Sequence, residues 1–475
     1  MTTDEAPIDS GRPAATATVP GATLPHFAPR TPSTLEEAGI GEHEIVALLL
    51  KTLYLQGQLT GFDLADELRL PFSIVDLALQ TLQRERCLEV ASARVVGRVS
   101  YRFQLTEFGR IRAREAFEQS RYVGPAPVSL SDYVTQCRLQ SIARVHCDLE
   151  SLTPSFDGVQ LPAGFLELLG PAICSGRALL LYGSPGNGKT LIGHRIGQFL
   201  TERGGNIFVP YAVSSGGSIV TVFDPTVHDT TDDVESPSDS PADEATARHE
   251  RSVFTREPAF DRRWRQIRRP VVVTCGELTG EMLELRHGGE GEFYQAPPHV
   301  KANGGLFFID DLGRQRIPPR TLLNRWILPL EQRIDYLTLS NGRRFAVPFE
   351  QLTVFSTNLK AEEWADDAFL RRIPHKIHVG PPTTAQLTAM FGRCCKEAGL
   401  SVSTQLAERL FRRPHDRYRS PRASDPQDFV EYVLSICRFR GETPHLDDAL
   451  LDEAAERFFL PVTKRDPDTP EADTA

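Results

Sequence analysis

Positive charge is the first thing this sequence is short of: 53 Lys and Arg stand against 63 Asp and Glu, for a formal net charge of -10. That balance argues against a broad basic surface for nucleic acid, leaves only a local basic patch open, and favours proteins as partners. A basic, apolar leader is also lacking, since Asp4 and Glu5 stand near the start and no apolar core follows them; export is not expected. Long apolar runs are missing. The longest, Ile45 to Leu55, is broken by Lys51 and is far too short for a bilayer, so a membrane partner is excluded and a cytoplasmic location is expected. The eight cysteines contain no CxxC pair, and the only adjacent ones are Cys394 and Cys395. They give no metal-ligand spacing, fit a reducing compartment and are read as buried thiols.

What is present is an ordinary globular composition, 40% hydrophobic and 24% charged, in 475 residues. At about 100–200 residues per domain this is two to four folding units. Residues 1–33 are rich in Pro, Ala and Thr without periodicity and are expected as a disordered tail, as are 464–475. Residues 34–120 read as helix (Glu44 to Gln56), helix (Phe62 to Arg69), helix (Phe72 to Arg86) and a two-stranded wing of Cys87 to Val90 with Tyr101 to Leu105. That order resembles a winged-helix domain. A linker is expected at 121–148, where Tyr122 to Val128 is broken by Gly and Pro. From 149 to 380, β-type runs at Ala178–Tyr182, Ile207–Val213, Leu306–Ile309, Leu352–Ser356 and Lys376–Val379 alternate with helical stretches, which predicts an α/β fold with a parallel sheet. Within it, 224–250 is acidic and rich in Ser, Thr and Pro, an expected disordered loop. A helical lid is expected over 381–463.

The strongest chemical signal is Gly183-Ser184-Pro185-Gly186-Asn187-Gly188-Lys189-Thr190, which fits G-x-x-x-x-G-K-[ST] with a strand before it and a helix after it. Its backbone N–H groups wrap phosphates, the helix N-terminus adds positive potential, Lys189 reaches the β- and γ-phosphates of ATP, and Thr190 can ligate Mg²⁺. The apolar run Phe307-Phe308-Ile309 ends in Asp310-Asp311, two carboxylates at a strand exit. A second apolar run, Leu352 to Thr357, ends in Asn358, and Asp367-Ala368-Phe369-Leu370-Arg371-Arg372-Ile373 follows. An Asn closing a strand also serves as a turn former, and exposed arginines also serve in surface ion pairs.

Taken together these motifs resemble the P-loop ATPases of the AAA+ class over roughly Leu149 to Phe459. The resemblance implies that Phe307 to Asp311 is a Walker B element, with Asp310 supporting Mg²⁺ and Asp311 polarising the attacking water. The family usually has Glu at the latter position, so the shorter arm puts the hydrolysis rate in question. Asn358 stands at sensor 1, and Arg371 and Arg372 in the segment that supplies an arginine finger to a neighbouring subunit. A hairpin signal around Asn341-Gly342, flanked by Leu337-Thr338-Leu339 and Arg344 to Val347, resembles the pre-sensor-1 hairpin clade. Ala302 to Asp310, with the hairpin and Pro348-Phe349, resembles MoxR-like ATPases, and Gly304 to Ile334, especially Asp310 to Gln315 and Leu322 to Trp326, resembles bacterial ATPases carrying an N-terminal winged helix. In that subgroup the lid carries Pro-Arg-Asp, whereas this chain reads Pro426-Gln427-Asp428, with Arg422 the nearest cation.

The implied function is an ATP hydrolase, acting with Mg²⁺ as a ring, expected as a hexamer, that remodels a protein client through its N-terminal domain. DNA is not favoured there: the third helix offers Ser73, Asp76 and Gln80 early and cations only at Arg84 and Arg86, although Arg94, Arg98 and Arg102 leave a locally positive wing open. The rival is a nucleotide-switched binding module or DNA-binding regulator with slow turnover. The arginines 262, 263, 265, 268 and 269 around Trp264 are left open among an interface, a polyanion site and solvent.

Overall fold

A computed structural model describes residues 27–92, 97–231, 260–287, 293–359, 367–412 and 422–459. The expected tails at 1–26 and beyond 459, most of the acidic loop, and Arg94 lie outside these residues.

After a single helical turn at Leu35–Ala38 come helices α1 (Glu42–Gln56), α2 (Gly61–Leu68) and α3 (Phe72–Arg84), a three-stranded antiparallel sheet of β1 (Leu59–Thr60), β2 (Leu88–Ser92) and β3 (Arg102–Leu105) in the order β1-β3-β2, and α4 (Glu107–Gln119). Local sequence sets the boundaries: Thr60 and Asp63 close a capping box at α2, satisfying donors that the first turn leaves free. The apolar faces of these helices meet in one core that also takes in Ala212 and Ile219 from outside this unit.

The next segment departs from the linker reading. Ala126 and Val128 are buried, β4 (Val128–Ser129) pairs with Val213 and Ser214, and α5 (Leu130–Leu139) buries Tyr133 and Cys137. Prolines here end strands and helices without freeing the chain, because the neighbouring side chains are apolar enough to be buried. The end of the expected N-terminal tail is likewise packed: Phe27 meets Phe208 edge-on, and the carbonyls of Phe27 and Pro29 accept from Gln136 and Asp261.

The central sheet is parallel and five-stranded, in the order β10-β13-β16-β5-β17. Its strands are β5 (Leu179–Tyr182), β10 (Val271–Thr274), β13 (Leu306–Ile309), β16 (Leu352–Thr357) and β17 (His375–His378). Near-continuous apolar runs fit strands buried on both faces, and β13 and β16 are buried throughout. Helix α6 (Phe165–Ser175) leads into β5, and α7 (Lys189–Arg203) leaves it.

The run Ile207–Val213 belongs elsewhere. β6 (Ile207–Pro210) pairs antiparallel with β9 (Trp264–Ile267), while β7 (Ala212–Ser215) and β8 (Ser218–Thr221) form a hairpin in a second, mixed sheet with β4, β11 (Arg286–His287) and β12 (Tyr294–Gln295). The second strand of the parallel sheet is Val271–Thr274 instead. Residues 224–231 of the expected acidic loop carry defined contacts, including Asp224 to Lys301 at 2.7 Å and His228 to the Lys301 carbonyl at 2.9 Å.

After α8 (Pro319–Gln332), β14 (Ile334–Thr338) and β15 (Arg344–Pro348) form the expected hairpin directly before β16. Four helices close the described chain: α9 (Thr384–Glu397), α10 (Thr404–Phe411), α11 (Asp425–Arg440) and α12 (Asp448–Phe458), around Phe391, Phe411 and Phe429. Of the cysteines, Cys174 and Cys275 are exposed and Cys147 and Cys394 half-buried, which corrects the reading of all eight as buried thiols.

Candidate functional site

The strand β5 is hydrogen-bonded on both sides, so whatever follows Tyr182 emerges between its two neighbours. Thr357 of β16 and His378 of β17 lie opposite Tyr182. Side chains from three strand ends converge there, the position where open parallel sheets bind ligands.

The loop Gly183 to Gly188 needs its glycines. Gly183 has φ +146°, and a Cβ there would sit 2.3 Å from the Val379 carbonyl oxygen; at Gly186, φ +82°, it would sit 2.7 Å from Cδ of Arg422. Asn187 is buried and donates to the Val379 carbonyl at 3.3 Å, while its Oδ1 has no partner. Ser184, Pro185 and Thr190 are exposed along the rim.

Lys189, the first residue of α7, is buried, and its Nζ donates to the carbonyls of Gly183 and Ser184, both at 2.9 Å, and to Asn358 Oδ1 at 2.5 Å. All three acceptors are neutral. Burial therefore pushes its pKa down, against the opposing pull of Asp311 and Asp310. Thr190 Oγ1 donates to Asp310 Oδ2 at 2.7 Å, the Asp311 backbone N–H to Asp310 Oδ1 at 3.0 Å, and Asn358 Nδ2 to Asp311 Oδ1 at 3.0 Å. Asp310, Asp311, Asn358, Lys189 and Thr190, far apart in sequence, thus form one hydrogen-bonded path.

Asp311 has φ +50°, a left-handed conformation uncommon outside glycine. A residue the sequence did not single out holds it there. Gln315, buried, donates to the carbonyls of Asp310 and Asp311 at 2.8 and 3.2 Å and accepts from Gly313 N–H. No motif spacing announces such a brace; the strained backbone it supports is the only signal.

The two arginines are not brought to this cluster. They precede β17, whose first residue His375 pairs with Leu179, the first of β5, whereas the glycine loop follows the last. Roughly 10 Å of strand separates the two ends. Arg372 donates to Glu331 at 3.1 Å, and Arg371 is exposed. In the C-terminal helices, Gln427 is exposed and donates to Glu431, while Ser424 N–H donates to the Gly186 carbonyl at 3.1 Å, which seats Arg422 against the loop.

Three of the five arginines around Trp264, Arg262, Arg263 and Arg269, are held within the fold. Arg263 is buried against Asp261 at 2.7 Å and donates to the carbonyls of Ala38 (2.6 Å) and Pro127 (3.2 Å); Arg262 pairs with Asp66 at 2.6 Å. Arg269 is buried among the carbonyls of Gly204, Gln140 and Gly304, and desolvation pushes its pKa down to about 10.

Among known families, one described as "Domain of unknown function (DUF8689)" matches residues 383–457, the C-terminal helices. No curated protein matches the chain. Several solved structures are similar. NtrX from Brucella abortus shares 13% identity at a TM-score of 0.35, with 63% of this chain and 56% of that one covered, so this chain spans little more than half of it. Its complex with ADP gives 13%, 0.34, 64% and 56%. The Thermotoga maritima RuvB Holliday junction branch migration motor gives 13% identity, a TM-score of 0.32 and coverage of 66% and 70%, and domain III of the Thermotoga maritima replication initiation protein DnaA gives 12%, 0.33, 66% and 99%. The functional reading rests on the site's own geometry.

Proposed function

We propose that this chain is an AAA+ ATPase that binds and hydrolyses ATP with Mg²⁺ and couples the cycle, as a ring, to remodelling a protein client. The observation that carries the reading is the path from Thr190 through Asp310, Asp311 and Asn358 to Lys189 beside a loop whose conformation only glycines allow. A buried ammonium with neutral partners is costly, and a polyphosphate supplies the anion it lacks. Thr190 and Asp310 offer hard oxygens suited to Mg²⁺. Bound Mg²⁺ would neutralise charge on the β- and γ-phosphates.

The roles follow from reach. Lys189 binds phosphate oxygens, and the loop N–H groups hold the rest of the chain of phosphates. Asp311 takes the proton of the attacking water, and Asn358, bonded to Asp311 and Lys189 at once, ties that carboxylate to the lysine. Arg371, exposed, serves a neighbouring subunit; Arg372, committed to Glu331, is the weaker candidate. Arg422 stands in for the cation that Gln427 cannot supply. In Lys189→Ala, ATP affinity is expected to fall at least about tenfold, the worth of one charge-assisted contact; unchanged affinity by calorimetric titration would remove the site assignment.

The N-terminal unit is read as a winged helix that docks a protein. Its wing arginine, Arg98, is turned back onto Asp76 (2.7 Å) and Gln83 (2.8 Å) of α3, and Leu77, Phe108 and Ile111 are exposed nearby in the same unit. Duplex DNA should therefore bind the full chain weakly at physiological salt. Micromolar binding that weakens steeply as salt rises, read by fluorescence anisotropy, would promote the regulator reading instead.

A further inference from the structure

At the end of α11 the chain folds sharply back on itself. Gly441 closes the helix in the left-handed conformation, its N–H bonded to the Arg438 carbonyl, and Glu442 N–H donates to the Cys437 carbonyl at 2.9 Å. The turn brings three side chains of different chemistry together. Cys437 is buried in the helical core, while Glu442 and His445 are half-exposed above it. One ligand atom from each lies within 4.8 Å of the other two.

The hydrogen bonding fixes which atoms are free. His445 Nδ1 lies 3.0 Å from the Thr443 carbonyl oxygen, which can only accept, so Nδ1 carries the proton. Nε2 then presents its lone pair to Glu442 Oε2 at 3.8 Å, too long for a hydrogen bond and with two acceptors face to face when the ring is neutral. Cys437 Sγ sits 3.9 Å from Nδ1 of that ring and 3.7 Å from the His445 carbonyl oxygen, and the three groups lie within 4.8 Å of one another. A carbonyl-held Nδ1–H is how ligating histidines are commonly oriented.

We propose that Cys437, Glu442 and His445 form a transition-metal site, fitting Zn²⁺ best, that clips the end of α11 to the segment entering α12. Thiolate, imidazole and carboxylate together select a borderline ion over Mg²⁺ or Ca²⁺. Zinc bond lengths and tetrahedral angles require ligand atoms about 3.3–3.6 Å apart, so ligand atoms that now lie within 4.8 Å of one another close on the metal by side-chain rotation. On binding, the Cys437 thiol loses its proton to solvent, a sulfur–metal bond forms, and water completes the open fourth position. The site is separate from the phosphate loop, whose donors are oxygens.

Titration of the full-length chain with Co²⁺, nucleotide-free, reads the site directly, because a thiolate ligand gives a sulfur-to-cobalt charge-transfer absorption that oxygen sites lack. One equivalent per chain is expected, displaced by one equivalent of Zn²⁺, with zinc raising the melting temperature. Loss of outer-shell partners typically weakens metal affinity about 10–100-fold, so loss of a direct ligand in His445→Ala should cost at least about a hundredfold, and Glu442→Gln at least about tenfold. Both side chains are half-exposed, so the variants should fold even where Cys437→Ser does not. Absence of the thiolate band at saturating cobalt, or a band and affinity unchanged in His445→Ala, overturns the proposal.

Discussion

At the residue scale, the site turns on how far each side chain reaches. Lys189 and Thr190 were legible because their spacing to the glycines is fixed within one loop, and Asp310 and Asn358 because each ends an apolar run. What spacing could not give is the conformation of Asp311, with its φ of +50° and its bond from Asn358. Gln315 escaped notice for the same reason: it serves backbone carbonyls, which leave no pattern in a sequence. If Asp311 is the base, Asp311→Asn keeps the Asn358 contact and the shape while removing proton affinity. ATP binding should persist and steady-state turnover should fall about a hundredfold or more. Turnover at the wild-type rate in that variant would move the role to another group.

At the scale of elements, apolar runs announced strands without naming their sheet. Ile207–Val213 and Val271–Thr274 are both short and β-rich, and periodicity does not distinguish a parallel partner from an antiparallel one. The outcome is settled by distant contacts: Trp264–Ile267 captures the first, and Leu306–Ile309 the second. The same distance effect hid the purpose of the arginines. Arg263, paired with Asp261 in its own segment, joins two distant parts of the chain at Ala38 and Pro127, a role invisible while they lie 225 and 136 residues away in sequence. Breaking a buried pair by removing one partner typically costs about 3–5 kcal/mol, because the other charge stays buried. Arg263→Ala should therefore loosen the N-terminal helices from the central core, seen as faster hydrogen exchange in α1 and β7 with little change in α10 to α12. Uniform protection across the chain would show that the latch contributes nothing.

At the scale of the whole molecule, the parallel sheet sets a polarity that the proposed chemistry depends on. The glycine loop follows the last residue of β5, and the segment that carries Arg371 leads into β17, whose first residue pairs with the first of β5. On the proposed reading, an arginine entering the sheet at that end serves a neighbour's phosphates, which is the reason to expect a ring. Such an arginine is worth about 10³–10⁵ in turnover when it acts on the transferring phosphoryl group. The most direct measurement is steady-state phosphate release from Mg²⁺-ATP by the full-length wild type, by Arg371→Ala, by Lys189→Ala, and by the two variants mixed under conditions where mixed assemblies are demonstrated. Magnesium-dependent release by the wild type, near-complete loss in each variant alone and partial recovery on mixing are the expected results. Tight ATP binding with no release by the wild type, or no recovery in proven mixed assemblies, would contradict the account.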